Sequence, residues 1–109
     1  MKYGYKTKHV RCVDGDTVVL LIDHGLNVYT QQVIRLARVN TPELKDPDPQ
    51  IKEKAKQAAQ ALTAFMRTME FCAVDVLGRD PYGRWVANVT VAGKDASDWL
   101  IENGYGVRV

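Results

Sequence analysis

One helical segment interrupts a series of strand-like segments, and this order constrains the fold of the chain more than any other feature. Apolar residues of 51–69 recur at spacings of three and four, which predicts an amphipathic helix. Its predicted inward-facing residues are Ile51, Ala55, Ala58, Ala59, Leu62, Phe65, Met66 and Met69. Before this helix, the apolar runs 10–13, 18–22 and 28–39 are separated by turn residues, which predicts three successive strands.

The part of the chain after this helix returns to strand-like patterning. Residues 71–77 and 84–91 predict two further strands with a turn or loop at 78–83 between them. Residues 95–103 predict a short second helix, and 107–109 predict a little more strand. This order of elements indicates a mainly β protein of the α+β class. We therefore predict a five-stranded OB-type Greek-key barrel, with one helix inserted after strand 3 and a short helix near the C-terminus.

Length and composition limit the class of protein. The 109 residues predict a single domain, 1–109, and the net charge of +2 means that nucleic-acid binding would depend on a local basic surface. No apolar run could span a bilayer and no signal-peptide pattern is evident, so we expect a cytoplasmic monomer without a membrane partner; a leader ahead of Met1 is left open. Cys12 and Cys72 are expected to be buried small apolar residues, although the sequence does not decide whether they pair.

Three short polar clusters stand at the ends of strand-like runs, and each combines turn residues with charged side chains. They are Asp14-Gly15-Asp16-Thr17, then Arg35 with Asn40-Thr41-Pro42-Glu43, and finally Arg79-Asp80-Pro81-Tyr82-Gly83-Arg84. Carboxylate, amide and carbonyl oxygens are the ligands that hard cations such as Ca²⁺ and Mg²⁺ prefer. Arginine binds phosphate oxygens in two-point geometry and keeps its charge at any ordinary pH. The clusters therefore indicate chemistry on a phosphodiester beside one cation.

These clusters resemble those of the staphylococcal-nuclease (thermonuclease) family in order and spacing, and the resemblance covers nearly the whole chain. It implies an OB-type barrel and a Ca²⁺-dependent phosphodiesterase, an endonuclease of low sequence specificity that hydrolyses DNA and RNA. The implied products have 3′-phosphate and 5′-hydroxyl ends. Single-stranded or flexible substrate is expected, because an OB-type groove admits an unstacked strand.

The same resemblance assigns roles to individual residues. It implies that Asp16, Asn40 and the carbonyl of Thr41 surround the cation. It implies that Arg35, Glu43 and Arg84 act at the scissile phosphate, with Glu43 orienting or activating the attacking water. Tyr82 is expected to contact the substrate. Asp14 is interpreted first as a turn residue, and Thr17 either as an ordinary strand residue or as a hydrogen-bonding tie within the site.

Four further side chains are expected to have structural roles. Trp85 and Trp99 are predicted to be packing residues. Arg38 and Arg79 are predicted to be surface charges or members of loop ion pairs.

The sequence also departs from the family pattern. Asn40 stands where the family often has aspartate, which removes one negative charge from the expected cation site, and Pro81 replaces a lysine beside the substrate. The chain stops at Val109, before the tyrosines and the final helix of the secreted archetype. Two alternatives remain: a catalytically silent module of the same fold that binds single strands or protein, and a generic OB domain whose acidic clusters are turns. The second alternative leaves Arg35 in an apolar strand without a reason.

Overall fold

The computed structural model describes the backbone from Tyr3 and the side chains from Tyr5 to the end of the chain at Val109. Within these residues the protein forms eight strands and two α-helices. The strands are β1 Tyr3–Asp14, β2 Thr17–Asp23, β3 Tyr29–Leu36, β4 Val39–Asn40, β5 Cys72–Arg79, β6 Trp85–Val91, β7 Lys94–Asp95 and β8 Val107–Arg108, and the helices are α1 Pro49–Met66 and α2 Ala96–Glu102.

Five strands close into a barrel. β2 pairs antiparallel with β1 and β3, and β5 pairs antiparallel with β1 and β6. A short parallel pairing between β3 and β6, which begins at Ile34 and Trp85, closes the barrel. The inserted helix follows the first three strands in the chain, as predicted. The α+β class and the five-stranded OB-type barrel with two helices are therefore confirmed.

The start of helix α1 is set by its capping residues. The Asp48 side chain accepts a hydrogen bond from the Gln50 amide, and Pro49 occupies the first turn, where no helical donor is needed. The buried residues of α1 are Ala55, Ala58, Leu62 and Met66. The predicted stripe was too long at its end: α1 stops at Met66, so Met69 lies beyond it and is half exposed. At the other end, Ile51 is in the helix but is largely exposed.

The barrel interior is filled mainly by aliphatic side chains of β2, β3, β5 and β6, with Tyr5 and Cys12 of β1 packed against them, and α1 and α2 add to it. Helix α2 starts at the N-cap Asp95, whose side chain accepts from the Asp98 amide. The Trp99 ring stacks on Phe65 of α1 at 4.6 Å and faces Tyr105 at 5.9 Å, so aromatic packing joins the two helices and the C-terminal segment. The predicted packing role of Trp99 is thereby confirmed.

Three strand predictions needed correction. The strand expected at 10–13 is much longer, because β1 begins at Tyr3. The expected strand 28–39 is interrupted after Leu36, because Arg38 adopts a positive φ of 66° in a turn before β4. Arg38 forms ion pairs with Asp95 and Asp98, as expected for a surface charge. The expected loop 78–83 is shorter, because β5 continues to Arg79. Cys12 and Cys72 are both free thiols.

No helix in residues 3–109 is long and apolar enough to cross a membrane.

Candidate active site

The turn between β1 and β2 brings the first polar cluster against the rest of the protein. Asp14 pairs with Thr17 across this hairpin, which leaves Gly15 and Asp16 at its tip, as the sequence predicted. A Cβ atom at Gly15 would lie 2.8 Å from Ala58 Cβ of α1 and 2.8 Å from Thr41 Oγ1. Only glycine lets the turn approach both neighbours so closely. The glycine therefore fixes the distance between the β1–β2 turn and the segment that follows β4.

The Asp16 carboxylate lies at the centre of the site. Asp16 is buried, and its Oδ2 accepts a hydrogen bond from the Thr41 amide at 3.0 Å. Its Oδ1 accepts from the Thr17 hydroxyl at 3.2 Å. Arg35 Nη2 lies 3.4 Å from Asp16 Oδ2 and forms an ion pair with it. A buried carboxylate needs hydrogen-bonding partners, and here each oxygen has at least one.

The Arg35 guanidinium donates hydrogen bonds to groups on β3 and β4. Its Nη1 donates to the Leu36 carbonyl at 2.6 Å, and its Nη2 donates to Asn40 Oδ1 at 2.6 Å. The side chain is only 16% exposed, so these partners and Asp16 explain how an arginine can occupy an apolar strand. The guanidinium thus binds two of the residues that the family resemblance gives to the cation.

The oxygen atoms around Asp16 have the chemistry that a hard cation needs. Asp16 offers a carboxylate and Asn40 an amide oxygen, and the Thr41 hydroxyl is buried without a hydrogen-bond partner in the described part of the chain. In residues 3–109 no three His, Cys, Asp or Glu side chains are grouped closely enough to hold a metal ion. The residues present therefore fit a hard divalent cation bound by one carboxylate and neutral oxygens, in competition with the Arg35 guanidinium.

Arg84 is positioned by the loop between β5 and β6. Asp80 accepts hydrogen bonds from the Tyr82 and Arg84 amides, each at 2.9 Å, and from Arg84 Nε at 2.7 Å. Desolvation raises the pKa of the Asp80 carboxyl, but these hydrogen bonds and the Arg84 charge outweigh it and lower the pKa overall. The ionised carboxylate therefore holds the loop closed and fixes the direction of the Arg84 side chain.

Thr17 connects the two arginine-bearing parts of the site. Its buried hydroxyl donates to Asp16 and accepts from Arg84 Nη1 at 3.4 Å. Asp16, Arg35, Arg84 and Asn40 thereby belong to one polar network. Of the two interpretations of Thr17 that the sequence left open, the structure supports the hydrogen-bonding tie.

Glu43 and Tyr82 lie outside this network. Both are exposed, and among the described residues neither side chain forms a hydrogen bond or an ion pair. The Tyr82 ring lies 5.7 Å from the Arg84 guanidinium. Asp14 does more than form a turn: its Oδ1 accepts from the Leu44 amide at 3.2 Å, directly beside Glu43. The sequence offered one signal for this role, namely a second carboxylate two residues before Asp16.

The fold and the polar network define a class of protein, an OB-type barrel with an aspartate–arginine site on one side of its wall. The family described as Staphylococcal nuclease homologue matches residues 33–109, which is more than half of the chain. The chain therefore belongs to the staphylococcal nuclease family, as its motifs indicated.

Three curated relatives match most of this chain. It is 33% identical over 98 residues to SPbeta prophage-derived endonuclease YokF of Bacillus subtilis and 30% identical over 98 residues to endonuclease YncB of the same bacterium. It is 32% identical over 100 residues to succinoglycan biosynthesis protein ExoI of Rhizobium meliloti. These matches cover 86–87% of the chain but only 31%, 43% and 48% of YokF, YncB and ExoI. The chain thus spans less than half the length of these relatives.

Proposed function

We propose that this protein is a metal-dependent nuclease that hydrolyses phosphodiester bonds in DNA and RNA with low sequence specificity. The observation that carries the proposal is the single network in which Asp16 is bound by Arg35 and linked through Thr17 to Arg84. Two permanent cations beside a buried carboxylate suit the charge that develops on a phosphoryl group during transfer. Family membership and the two relatives named endonucleases support the same proposal.

The two arginines are assigned to the substrate phosphate. Arg84 is one-third exposed and is held at Nε by Asp80 and at Nη1 by the Thr17 hydroxyl, so that among the described residues its Nη2 is left available to a phosphate oxygen. Arg35 would exchange its bond to Asn40 for a second phosphate oxygen. Both guanidinium groups are fixed by carboxylates before substrate arrives, so little reorganisation is needed when charge builds up on the phosphate.

Glu43 is assigned to the attacking water. Its exposure and its free carboxylate leave it able to accept a hydrogen bond from water, and Asp14 holds the Leu44 amide beside it. The contribution of Glu43 would come mainly from orientation of the water. Attack opposite the 5′-oxygen would leave 3′-phosphate and 5′-hydroxyl ends. Tyr82 is assigned to contact with the substrate.

Asp16, Asn40 and Thr41 are assigned to a divalent cation, with Ca²⁺ first and Mg²⁺ second. When bound, this cation would supply further positive charge at a non-bridging phosphate oxygen. The preferred substrate is a single-stranded or flexible nucleic acid, because the surface of an OB-type barrel can accept an unstacked strand.

One observation favours a second candidate, a silent module that binds nucleic acid without cleaving it. Asn40 is uncharged, and its oxygen is already occupied by Arg35 at 2.6 Å. Both features weaken the expected cation site.

A cleavage assay separates the two functions. The protein is incubated with single-stranded DNA and with RNA while Ca²⁺ or Mg²⁺ is titrated against a chelator, and the product ends are mapped. We expect cleavage that depends on the cation and is abolished by the chelator. Glu43→Gln serves as the matched control, because it removes the charge while keeping the size of an exposed side chain. Binding without cleavage at millimolar cation would favour the silent module.

A further inference from the structure

The barrel has an open end that the proposed catalytic residues do not use. A half-open cavity of about 340 Å³ lies there, between β3 on one side and β5 and β6 on the other. Its apolar walls include Ile34 and Val76, and its aromatic walls include Tyr5 and Trp85. Sites for small planar ligands are typically cavities of this size and character.

The aromatic groups at this opening are held by neighbouring side chains. The Tyr5 and His24 rings meet edge to face with their centroids 5.5 Å apart, and His24 Nε2 is hydrogen-bonded to the Thr30 hydroxyl at 2.7 Å. The indole of Trp85 carries the Arg79 guanidinium 4.2 Å from its ring centroid. The rings are therefore positioned before any ligand arrives, which reduces the entropy that binding must offset.

The cavity adjoins the arginine site through the β3–β6 pairing. Ile34 and Trp85 form the first pair of that seam, and both line the cavity. The next residue of β3 is Arg35, and the residue before β6 is Arg84. Side chains alternate along a strand, so Arg35 lies on the outer side of the seam where Ile34 lies inside. The β3–β6 pairing begins at Ile34 and Trp85. A nucleic-acid strand could therefore pass over this end of the pairing, from Arg35 and Arg84 into the cavity.

Beside the cavity, the Arg79 guanidinium on the Trp85 ring carries a positive charge without an acidic partner among the described residues. Arg79 is exposed, and within residues 3–109 no carboxylate oxygen lies within 4.0 Å of its side-chain nitrogens. Sequence reasoning treated Arg79 as a surface charge or a loop ion pair, whereas the structure places it on Trp85. A free guanidinium beside an aromatic cavity suits a ligand that combines a planar ring with a negative charge.

We propose that this cavity is a subsite for one unstacked base of a single-stranded nucleic acid, with Trp85 as the stacking surface and Arg79 as a contact to the backbone. The proposal rests on the proposed function, since the same strand would present its phosphate to Arg35 and Arg84. An apolar peptide would fill the cavity equally well but would leave the charge of Arg79 unused. A base with its phosphate uses both features.

Fluorescence can test the subsite directly, because the chain has only two tryptophans. Trp99→Phe keeps an aromatic ring in the stack on Phe65 and leaves Trp85 as the single indole. This full-length variant is titrated, with chelator present to prevent cleavage, against a short oligodeoxythymidylate and against an abasic strand of the same length. We expect saturable quenching by the first strand, and binding on the order of tenfold weaker for the abasic strand.

Two variants complete the test. For these variants binding is measured by the fluorescence anisotropy of a dye-labelled strand, because Trp85→Leu removes the indole signal. Trp85→Leu should weaken binding of the base-containing strand on the order of tenfold and leave the abasic strand unaffected. Arg79→Gln, at an exposed position, should lower the slope of log affinity against log salt by about 0.7, the value for one phosphate contact on a single strand. Circular dichroism, followed during thermal unfolding, identifies a variant that has lost its fold. If Trp85→Leu is unfolded, the salt dependence of Arg79→Gln decides whether the strand contacts this end of the barrel.

The outcomes separate this subsite from the proposed nuclease function. Equal affinity for the two strands, or quenching by an apolar peptide and not by the oligonucleotide, would overturn the subsite even if the protein cleaves DNA. Quenching with the expected loss in Trp85→Leu would support the subsite. If cleavage is then absent with millimolar Ca²⁺ or Mg²⁺, the nuclease proposal alone fails.

Discussion

Replacing Asn40 by aspartate tests the assigned cation site most directly. Asn40 is exposed, and its Oδ1 accepts a hydrogen bond from Arg35 Nη2 at 2.6 Å. An aspartate here would add a negative charge that a cation could contact and that Arg35 could also contact. The expected change in Ca²⁺ affinity is therefore the difference between two attractions.

Both attractions can be estimated from Coulomb's law. With the dielectric constant of water, which suits an exposed side chain, a carboxylate at about 2.4 Å from a divalent cation gains about 3.5 kcal/mol. The same carboxylate at the observed distance from Arg35 gains about 1.6 kcal/mol in the metal-free protein. Subtracting the whole of the second value leaves about 2 kcal/mol, which corresponds to about 30-fold tighter Ca²⁺ binding.

Calorimetric titration of wild type and Asn40→Asp with CaCl₂ measures this difference. Both titrations need the same low ionic strength, because salt screens exposed charges. Asn27→Asp is the matched control: it adds the same charge in an exposed turn at the far end of the β2–β3 hairpin, roughly 20 Å along β2 from Asp16. Unchanged or weaker affinity in a folded Asn40→Asp protein would show that residue 40 is not a ligand.

Three further predictions concern the same site. Glu43→Ala and Arg84→Ala should each slow cleavage on the order of 100-fold while the fold survives, because neither side chain belongs to the core. Glu43→Ala should leave the melting temperature nearly unchanged, whereas Arg84→Ala also removes the ion pair with Asp80 and should lower it; single-turnover cleavage with parallel thermal unfolding checks both. Asp14→Ala should slow cleavage less than Glu43→Ala does, because it only frees the Leu44 amide; turnover equal to wild type would separate Asp14 from Glu43. Because the pKa of Asp80 is lowered in the folded protein, its ionised carboxylate stabilises the fold fully above its ordinary pKa of 3.8. This contribution is lost as the pH falls through the lowered pKa. Asp80→Asn should therefore flatten the acidic part of a plot of melting temperature against pH.

The sequence by itself determined the order of elements and the kind of barrel. Periodicity reports which residues of one segment share a face, and it identified the buried positions Ala55, Ala58, Leu62 and Met66 of α1. The ends of that helix were less predictable, because Met69 fits the period but lies beyond the C-cap Arg67. The family motifs identified the polar residues of the site, because the order and spacing of these motifs can be recognised in a single sequence.

Only the tertiary structure decided how those residues are joined. Asp16 and Thr41 are 25 residues apart, Asp14 and Leu44 are 30 apart, and Thr17 and Arg84 are 67 apart. No local pattern encodes such pairs, since they depend on strand register and on closure of the barrel by β3 and β6. The same closure leaves the barrel end open beside Trp85, which the sequence assigned to simple packing. Local propensity therefore fixed the elements, whereas long-range packing fixed the partners of Arg35 and the cavity at the barrel end.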